Sequence, residues 1–495
     1  MPVVSGDKML IEKYTSDFSI PRELAEIIAR RFPEYTEAQK YLSPDLGQLH
    51  DPALMPDINI ATNEIIAAAR RGEGILIYTH DDVDGYTSAA VVYKALIDIA
   101  RNRDAIFVYP IVREQDGYIL NRQVLRSYRE MGVRVLLTVD FGISNIENFR
   151  IAEEEGFKTI ICDHHETTLT EFPAIAVNPK RPDSRYPFRE LAGVGVAYKL
   201  TQSLYQEFFG MSAREFYRLK RNFLPIVCLG TFSDRVMLRD ENRVFCIHGM
   251  REINKLDEPW MNYLKSSGEI DINRILRDVI PTLGSAAYID PRLGIDFFIE
   301  KDLDKVADCF NKLRETDQKR RQAIDSLFSD VVSSAKVTSR LVLSVIPIFK
   351  QHYLGSVAAR LRDYFKRNSI IIGVKEDKCI GELRSCDVDL YMLLYNFREL
   401  FLDFGGHKKA AGFSMDKRNL EAFLDHLMNY VETHNSDFSD DCNPANPEAE
   451  TILRRTEVGM LHGLVPFGEG NPAPFLSDGL SIYTVDNALN VIERS

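Results

Sequence analysis

The chain has 495 residues, of which 45% are hydrophobic, and its formal net charge is −12. This length exceeds what one hydrophobic core supports and predicts roughly two to four domains. The acidic balance argues against non-specific coating of nucleic acid, although bound cations or a local basic cleft can still serve a nucleic-acid enzyme.

The composition also argues against membrane and secreted classes. No apolar run reaches the ~18 residues of a membrane span. The first residues, MPVVSGDKML, lack the basic and apolar regions of a signal peptide. The seven cysteines show no CxxC spacing, which is typical of a reducing compartment. We therefore expect a cytoplasmic protein without membrane contact.

The first half of the chain predicts an alternation of strands and helices. Residues 1–70 favour helices, with an irregular connector rich in Pro and Asp over Tyr41–Ile58. Alternating elements follow and indicate a doubly wound parallel sheet. They are strand Ile75–Tyr78, a helix over Ala89–Ala95 capped by Thr87 or Ser88, strand Ala105–Pro110, a helix near Asn121–Met131, strand Val135–Val139, helix Asn145–Glu155 and strand Thr159–Cys162.

Three polar clusters follow three of these predicted strands. In chain order they contain His80, Asp82 and Asp84; then Asp140; then Asp163, His164 and His165. The carboxyl ends of parallel strands border the crevice where ligands bind, and carboxylates this close repel one another unless a cation neutralises them. Oxygen and imidazole ligands without cysteine favour Mn²⁺ or Mg²⁺ over structural zinc. A solvated acidic turn is the alternative, whereas a calcium loop is excluded because its first and twelfth positions hold His80 and Val91.

Four further segments complete the chain. The stretch Leu191–Val196 predicts a Gly-rich turn into a helix. The apolar segment Pro225–Leu238 contains Asp234, which is either a metal ligand or an ordinary acidic residue at a helix end. Helical spacing over Leu303–Lys336 favours a connecting helix over a DNA-binding stripe. His434–Glu450 has no Lys or Arg and predicts an exposed acidic linker.

A second α/β domain is predicted between the connecting helix and the linker. Its strand candidates are Arg340–Ile346 and Ser369–Val374. It also contains the segments GELRS, Gly381–Ser385, and FGGHKKAAG, Phe404–Gly412. Glycines beside a histidine and lysines let the backbone approach an anion closely, although Gly-Gly alone is most often a turn.

The order of these motifs resembles the DHH phosphoesterase superfamily, and within it the RecJ family of single-stranded-DNA exonucleases. The matching segments are IYTHDDVDGYTSA, VDFGIS, DHHE, NPKRPDSRYPFRELAGVGVAYKL, LGTFSDRVML followed by RDENRV, GELRS and FGGHKKAAGFS. Some positions depart from the family pattern. His80 stands where Asp is usual, Thr282 and Tyr288 replace two arginines, the segment from Lys350 to Gly355 is altered, and the C-terminal OB-type domain is short.

The resemblance implies a two-metal centre and a set of substrate contacts. Two ions, Mn²⁺ or Mg²⁺, would be held by His80, Asp82, Asp84, Asp140, His164 and Asp234, with Asp140 bridging them. His165 would face the scissile phosphate, and Asp163 would orient the histidines. The terminal nucleotide would contact Arg384, Ser385, Gly405, Gly406 and His407 of the second domain, with Arg113 and Tyr118 on the facing wall.

We therefore expect five segments: a DHH domain with an N-terminal helical extension (1–300), a connecting helix (301–337), a smaller α/β domain (338–433), an acidic linker (434–450) and a partial OB-like segment (451–495). The expected activity is metal-dependent 5′→3′ hydrolysis of single-stranded DNA in repair or recombination, with replication or repair proteins as candidate partners. Two alternatives stay open. One is a phosphodiesterase for short oligonucleotides or cyclic dinucleotides, and the other is a non-catalytic scaffold.

Overall fold

A computed structural model describes residues 5–112, 119–143, 146–167, 169–347, 351–386, 388–434, 450–479 and 481–493. The chain divides into two units, the first formed by Met1–Asp317 with Ala449–Ser495 and the second by Gln318–Glu448. None of the described helices combines the length and apolar character that a membrane crossing requires. The five segment limits given above stay predictions.

The first unit is built on a five-stranded parallel sheet. Its strands are β1 Gly74–Thr79, β2 Ile106–Pro110, β3 Val133–Val139, β4 Lys158–Cys162 and β5 Ile175–Val177. Their order is β2-β1-β3-β4-β5, and every neighbouring pair is parallel. The predicted doubly wound α/β fold is confirmed, with one short strand, β5, that the sequence patterns did not indicate. The order reverses between β1 and β3, which is where such sheets bind ligands.

Helices cover both faces of this sheet. The described α-helices between residues 5 and 299 are α1 Ser5–Asp17, α2 Arg22–Arg31, α3 Tyr35–Leu42, α4 Ile58–Arg71, α5 Val83–Ile99, α6 Arg122–Glu130, α7 Ile146–Glu154, α8 Gly193–Phe209, α9 Ala213–Leu219, α10 Leu224–Asp234, α11 Asp240–Ile253, α12 Pro259–Lys265, α13 Ile272–Arg274, α14 Ile280–Gly284 and α15 Pro291–Ile299. Ile75 and Ile77 join a core with α4, α5 and α8, whereas Leu76 and Tyr78 join a core with α6 and α7. A strand buried on both faces explains the uninterrupted apolar run of β1.

The start of α5 corrects one prediction. The helix begins at Val83, because the Asp82 side chain caps it by accepting a hydrogen bond from the Gly85 amide over 2.9 Å. Thr87 and Ser88, the two predicted caps, both lie inside the helix, and the Thr87 hydroxyl donates to the Val83 carbonyl. The acidic cluster is therefore the first turn of a helix.

The N-terminal helices and the C-terminal strands share one hydrophobic core. Residues of α1, α2 and α3 pack with Leu453, Leu464 and Tyr483. The four short strands of this region, in sheet order, are β12 Thr451–Ile452, β13 Leu476–Ser477, β14 Ile482–Val485 and β15 Val491–Glu493. Tyr41 donates from its hydroxyl to the Leu464 carbonyl over 2.9 Å. The two ends of the described chain thus belong to one packed body.

The second unit contains a six-stranded mixed sheet. Its strands are β6 Lys336–Val337, β7 Leu341–Ile346, β8 Asn368–Lys375, β9 Lys378–Arg384, β10 Asp403–His407 and β11 Ala410–Asp416, in the order β10-β11-β9-β8-β7-β6. Only β7 and β8 among these pair in parallel. The remaining helices are α16 Leu303–Ser334, α17 Gln351–Phe365, α18 Leu390–Tyr395 and α19 Leu420–Thr433. The prediction of a smaller second α/β domain is confirmed.

Candidate metal centre

The ends of β1, β3 and β4 bring the three polar clusters of the first unit together with the end of α10. Three groups of side chains could each hold a metal ion, because within each group the candidate ligand atoms lie within 4.8 Å of one another. The groups are His80, Asp82 and Asp140; Asp84, His164 and Asp234; and Asp140, Asp163, His164 and His165. All six residues expected to bind metal are therefore in one place. Asp140 and His164 each belong to two groups, so the groups form one continuous cluster.

Asp84 is fixed by the first turn of α8. Its carboxylate accepts hydrogen bonds from the Gly193 amide over 2.7 Å and from the Val194 amide over 2.9 Å. The N-terminus of a helix stabilises a negative charge, so the Gly-rich turn before α8 serves the acidic cluster. This role was missed in the sequence, where Leu191–Val196 predicted only a turn.

Asp140 carries a buried oxygen without a partner. Its backbone lies in the left-handed region at φ 55° and its amide donates to the Cys162 carbonyl over 3.0 Å. Carboxylate Oδ1 has no hydrogen-bond partner among the described residues. A buried unpartnered acceptor is costly, and a bound cation would remove that cost. Gly193 leaves the space for this side chain, since a Cβ there would lie 2.5 Å from Oδ1.

His164 is oriented for binding through Nε2. Its Nδ1 donates to the Leu191 carbonyl over 3.1 Å, which places the ring proton on Nδ1. Nε2 lies 3.2 Å from Asp140 Oδ1 and 3.9 Å from Asp84 Oδ2, with its lone pair directed into the acidic cluster. Burial lowers the pKa of His164, which favours the neutral imidazole that metals require.

Asp163 accepts hydrogen bonds that position the two histidines after it and the loop after β3. It accepts from the Ile143 amide over 2.9 Å, from the His164 amide over 2.7 Å and from His165 Nδ1 over 2.7 Å. Burial opposes the charge of His165, but the Asp163 carboxylate outweighs it and raises the pKa of His165 to about 9. The His165 side chain is 47% exposed, so the centre has a protonated imidazole at its open side.

The carboxylates of the cluster repel one another. Burial, and then Asp234, raises the pKa of Asp84 to about 7. Burial, and then Asp82, raises the pKa of Asp234 to about 7. Burial and the neighbouring Asp84 raise the pKa of Asp140 well above its usual range. Oxygen and imidazole donors, mutual repulsion and an unpartnered buried oxygen fit divalent cations such as Mn²⁺ or Mg²⁺.

His80 and Asp82 form the outer edge of the cluster. His80 Nδ1 lies 3.0 Å from Asp82 Oδ2, and the Asp82 side chain is 52% exposed. Asp82 also caps α5, so one carboxylate connects the helix to the imidazole. This arrangement fixes His80 beside Asp140 at the β1–β3 switch point.

The residues predicted to contact substrate are only partly described. Arg384 ends β9, and Gly405 and Gly406 lie on β10. Ser385 is buried and donates from its hydroxyl to Asn368 over 3.0 Å, which favours support of the fold over direct contact. The side chain of His407, and all of Arg113 and Tyr118, lie outside the described residues.

Two family models match the two units. The "DHH family, N-terminal domain" model matches residues 74–231, and the "DHHA1 domain" model matches residues 338–433, together just over half of the chain. The chain therefore belongs to the DHH family.

Among named relatives, the chain is similar to the single-stranded-DNA-specific exonuclease RecJ. Identity is 29% to the Bacillus subtilis protein, over 94% of this chain and 60% of that one. Identity is 26% to the Haemophilus influenzae protein, over 79% of this chain and 71% of that one. The chain thus spans 60% of the length of the B. subtilis relative, which is less than two thirds.

Solved structures show the same fold. RecJ from Thermus thermophilus in complex with Mn²⁺ matches with a TM-score of 0.80 and 20% identity, covering 97% of this chain and 71% of that chain. Its complex with Mg²⁺ matches with a TM-score of 0.73 and 19% identity, covering 97% of this chain and 70% of that chain.

Proposed function

We propose that the chain is a metal-dependent exonuclease that hydrolyses phosphodiester bonds of single-stranded DNA. The observation that carries this proposal is the membership of Asp140 in two of the three ligand groups, together with its buried Oδ1, which has no hydrogen-bond partner among the described residues. The activity named for the relatives, and the Mn²⁺ and Mg²⁺ named for the T. thermophilus structures, support it. The polarity, 5′→3′, and a cytoplasmic role in repair or recombination belong to the same proposal.

Two divalent ions, Mn²⁺ or Mg²⁺, would be held by residues of the first two groups, which are His80, Asp82, Asp84, Asp140, His164 and Asp234. Asp140 belongs to the first of these groups, and its Oδ1 lies 3.2 Å from Nε2 of His164 in the second. When bound, the ions would supply the hydrolytic nucleophile and offset negative charge on the reacting phosphate.

The chain's own residues prepare this centre. The amides of Gly193 and Val194 hold Asp84, and the Leu191 carbonyl holds the His164 ring, so neither side chain has to reorganise. Asp163 accepts a hydrogen bond from Nδ1 of His165. The Nε2 proton of the His165 imidazolium is then available to donate to a phosphate oxygen, where it stabilises negative charge.

In the second unit, Arg384 and the backbone of Gly405 and Gly406 would bind the terminal nucleotide. A guanidinium fits a phosphate geometrically. Gly406 has φ 131°, and a Cβ there would lie 2.5 Å from the Ala410 carbonyl oxygen, so glycine is required for β10 to pair with β11. His407, Arg113 and Tyr118 are proposed as further contacts on the motif resemblance alone.

The proposal is tested with end-labelled oligonucleotides, single-stranded and blunt duplex, in Mn²⁺, in Mg²⁺ and in chelator. We expect stepwise release of mononucleotides from single strands only, and none in chelator. Asp140→Asn should slow degradation at least ~10³-fold, because it removes the charge of a buried carboxylate that belongs to two of the three ligand groups. Asp308→Asn is the matched control, since Asp308 is exposed on α16.

Three results would refute the proposal. One is unchanged degradation by the Asp140→Asn variant. Another is equal degradation of blunt duplex. The third is rapid cleavage of dinucleotides or cyclic dinucleotides while longer strands stay intact, which would favour the short-oligonucleotide alternative.

A further inference from the structure

The second unit places an arginine and a glutamate side by side at the end of β9. Arg384 Nη1 donates to Glu382 Oε2 over 3.0 Å and to the Leu383 carbonyl over 2.7 Å. Residues two apart on a strand share a face, so both side chains project from the same side of the sheet. They are 22% and 31% exposed, which leaves the pair accessible to a ligand.

Two glycines make room for this pair. A Cβ at Gly355 of α17 would lie 2.6 Å from Arg384 Nη2 and 3.3 Å from Glu382 Oε2. A Cβ at Gly412 of β11 would lie 3.2 Å from Glu382 Oε1. Both side chains of the ion pair therefore lie against glycine residues. The local fold accommodates a carboxylate beside the guanidinium, with little space for the pair to separate.

We propose that Glu382 is a specificity residue that disfavours a terminal phosphomonoester and favours a strand end that carries a hydroxyl group. This inference rests on the proposed function, in which Arg384 binds the terminal nucleotide. Glu382 holds the position at Nη1 that a phosphate oxygen would otherwise take. Both hydrogen bonds that the described residues accept from this guanidinium use Nη1, so a phosphate has to displace Glu382 or bind beside it.

Charge decides the direction of the preference. A phosphomonoester carries a charge of about −1.5 to −2 at pH 7. It would lie close to the Glu382 carboxylate, and the single charge of Arg384 is already balanced. A terminal hydroxyl carries no charge and can donate a hydrogen bond to Glu382. The uncharged end therefore fits the pair, whereas the doubly charged end is repelled by one member of it.

The experiment compares the parent chain with Glu382→Gln, which keeps the shape of the side chain and removes its charge. Two substrates share one single-stranded sequence and differ only in a 5′-phosphate or a 5′-hydroxyl. We expect Glu382→Gln to lower KM for the phosphorylated strand relative to the hydroxyl strand by roughly tenfold, the range of one charge-assisted hydrogen bond at a partly exposed site. Glu382→Ser provides a second, smaller replacement.

The matched control is Glu399→Gln in the same unit. Glu399 lies 3.6 Å from Arg398 Nε, and its side chain is 87% exposed, so removal of its charge should leave the KM ratio unchanged. The double variant Glu382→Gln with Arg384→Gln should not show the lower KM for the phosphorylated strand, because that change depends on the guanidinium of Arg384.

A binding measurement separates this inference from the proposed function. Inorganic phosphate is titrated calorimetrically into each variant in chelator, where catalysis is absent. Glu382→Gln should bind phosphate roughly tenfold more tightly than the parent chain. An unchanged phosphate affinity and an unchanged KM ratio in both Glu382 variants would overturn the inference. A parent chain that degrades no strand in Mn²⁺ or Mg²⁺ would refute the proposed function, and the titration would still test Glu382.

Discussion

A single methyl group at Gly193 should disable the metal centre. The Cβ of Gly193→Ala would lie 2.5 Å from Asp140 Oδ1 and 2.8 Å from Asp140 Cγ. Carbon and carboxylate oxygen do not approach this closely, so Asp140 or the start of α8 has to move by roughly half an ångström. Asp140 has little freedom to do so, because its backbone is already in the left-handed region.

Helix propensity favours alanine over glycine, so a weaker helix does not explain a loss of metal affinity in Gly193→Ala. Alanine in a helix is about 1 kcal/mol more favourable than glycine, whereas overpacking costs roughly 1–3 kcal/mol. We therefore expect a net loss of stability of about 0–2 kcal/mol. Affinity for Mn²⁺ should fall about 10–100-fold, as for other changes that displace a metal ligand from outside.

The assays are calorimetric titration with Mn²⁺, urea unfolding in chelator, and strand degradation at saturating metal. The control is Gly284→Ala, because a Cβ at Gly284 would lie 3.7 Å from Val83 Cγ2, an ordinary contact distance. If Gly193→Ala binds Mn²⁺ as tightly as the parent chain, Asp140 is not one of the proposed metal ligands.

Two further predictions address the charge of the centre and the packing of the chain ends. Asp163→Asn should lower the pKa of His165 from about 9 toward its ordinary value, because it removes the neighbouring negative charge. The imidazolium is then lost at lower pH, so the alkaline limb of the pH–rate profile should move to lower pH, and an unmoved limb contradicts this role. Arg31→Ala should lower the free energy of unfolding in urea by about 1–3 kcal/mol, because Arg31 makes a 2.6 Å ion pair with Glu450 and is only 9% exposed. Arg22→Ala is its control and should cost less than about 0.5 kcal/mol, since Arg22 is 54% exposed beside Glu26; equal losses would refute the argument.

The sheet and its polar clusters were predictable from the sequence because both depend on local patterns. Uninterrupted apolar runs mark strands that are buried on both faces, and polar residues directly after such runs have to lie at the sheet edge. Asp140 and His164 could therefore be placed near each other without knowledge of any contact. The strand-by-strand alternation also indicated the parallel order.

Other features depend on contacts between distant segments and left no comparable pattern. The support of Asp84 comes from amides more than a hundred positions later in the chain, at the start of α8. Backbone amides do not depend on the residue type, so only the glycines at the start of α8 indicated that the backbone lies close to another group. The helix start at Val83 was misjudged because Asp82 can act both as a cap and as a candidate ligand.

The shared core of the N-terminal helices and the C-terminal strands has a consequence for biosynthesis. Tyr14 and Ile28 of the first helices are buried against residues near the other end of the described chain, including Leu476 and Tyr483. A ribosome makes the helices first, and their apolar partners emerge only after all of the second unit has been synthesised. The second unit, by contrast, is one continuous segment whose contacts are complete earlier. Its folding can therefore precede that of the unit that surrounds it in sequence, and the exposed N-terminal helices are the part of the nascent chain that a chaperone would have to protect.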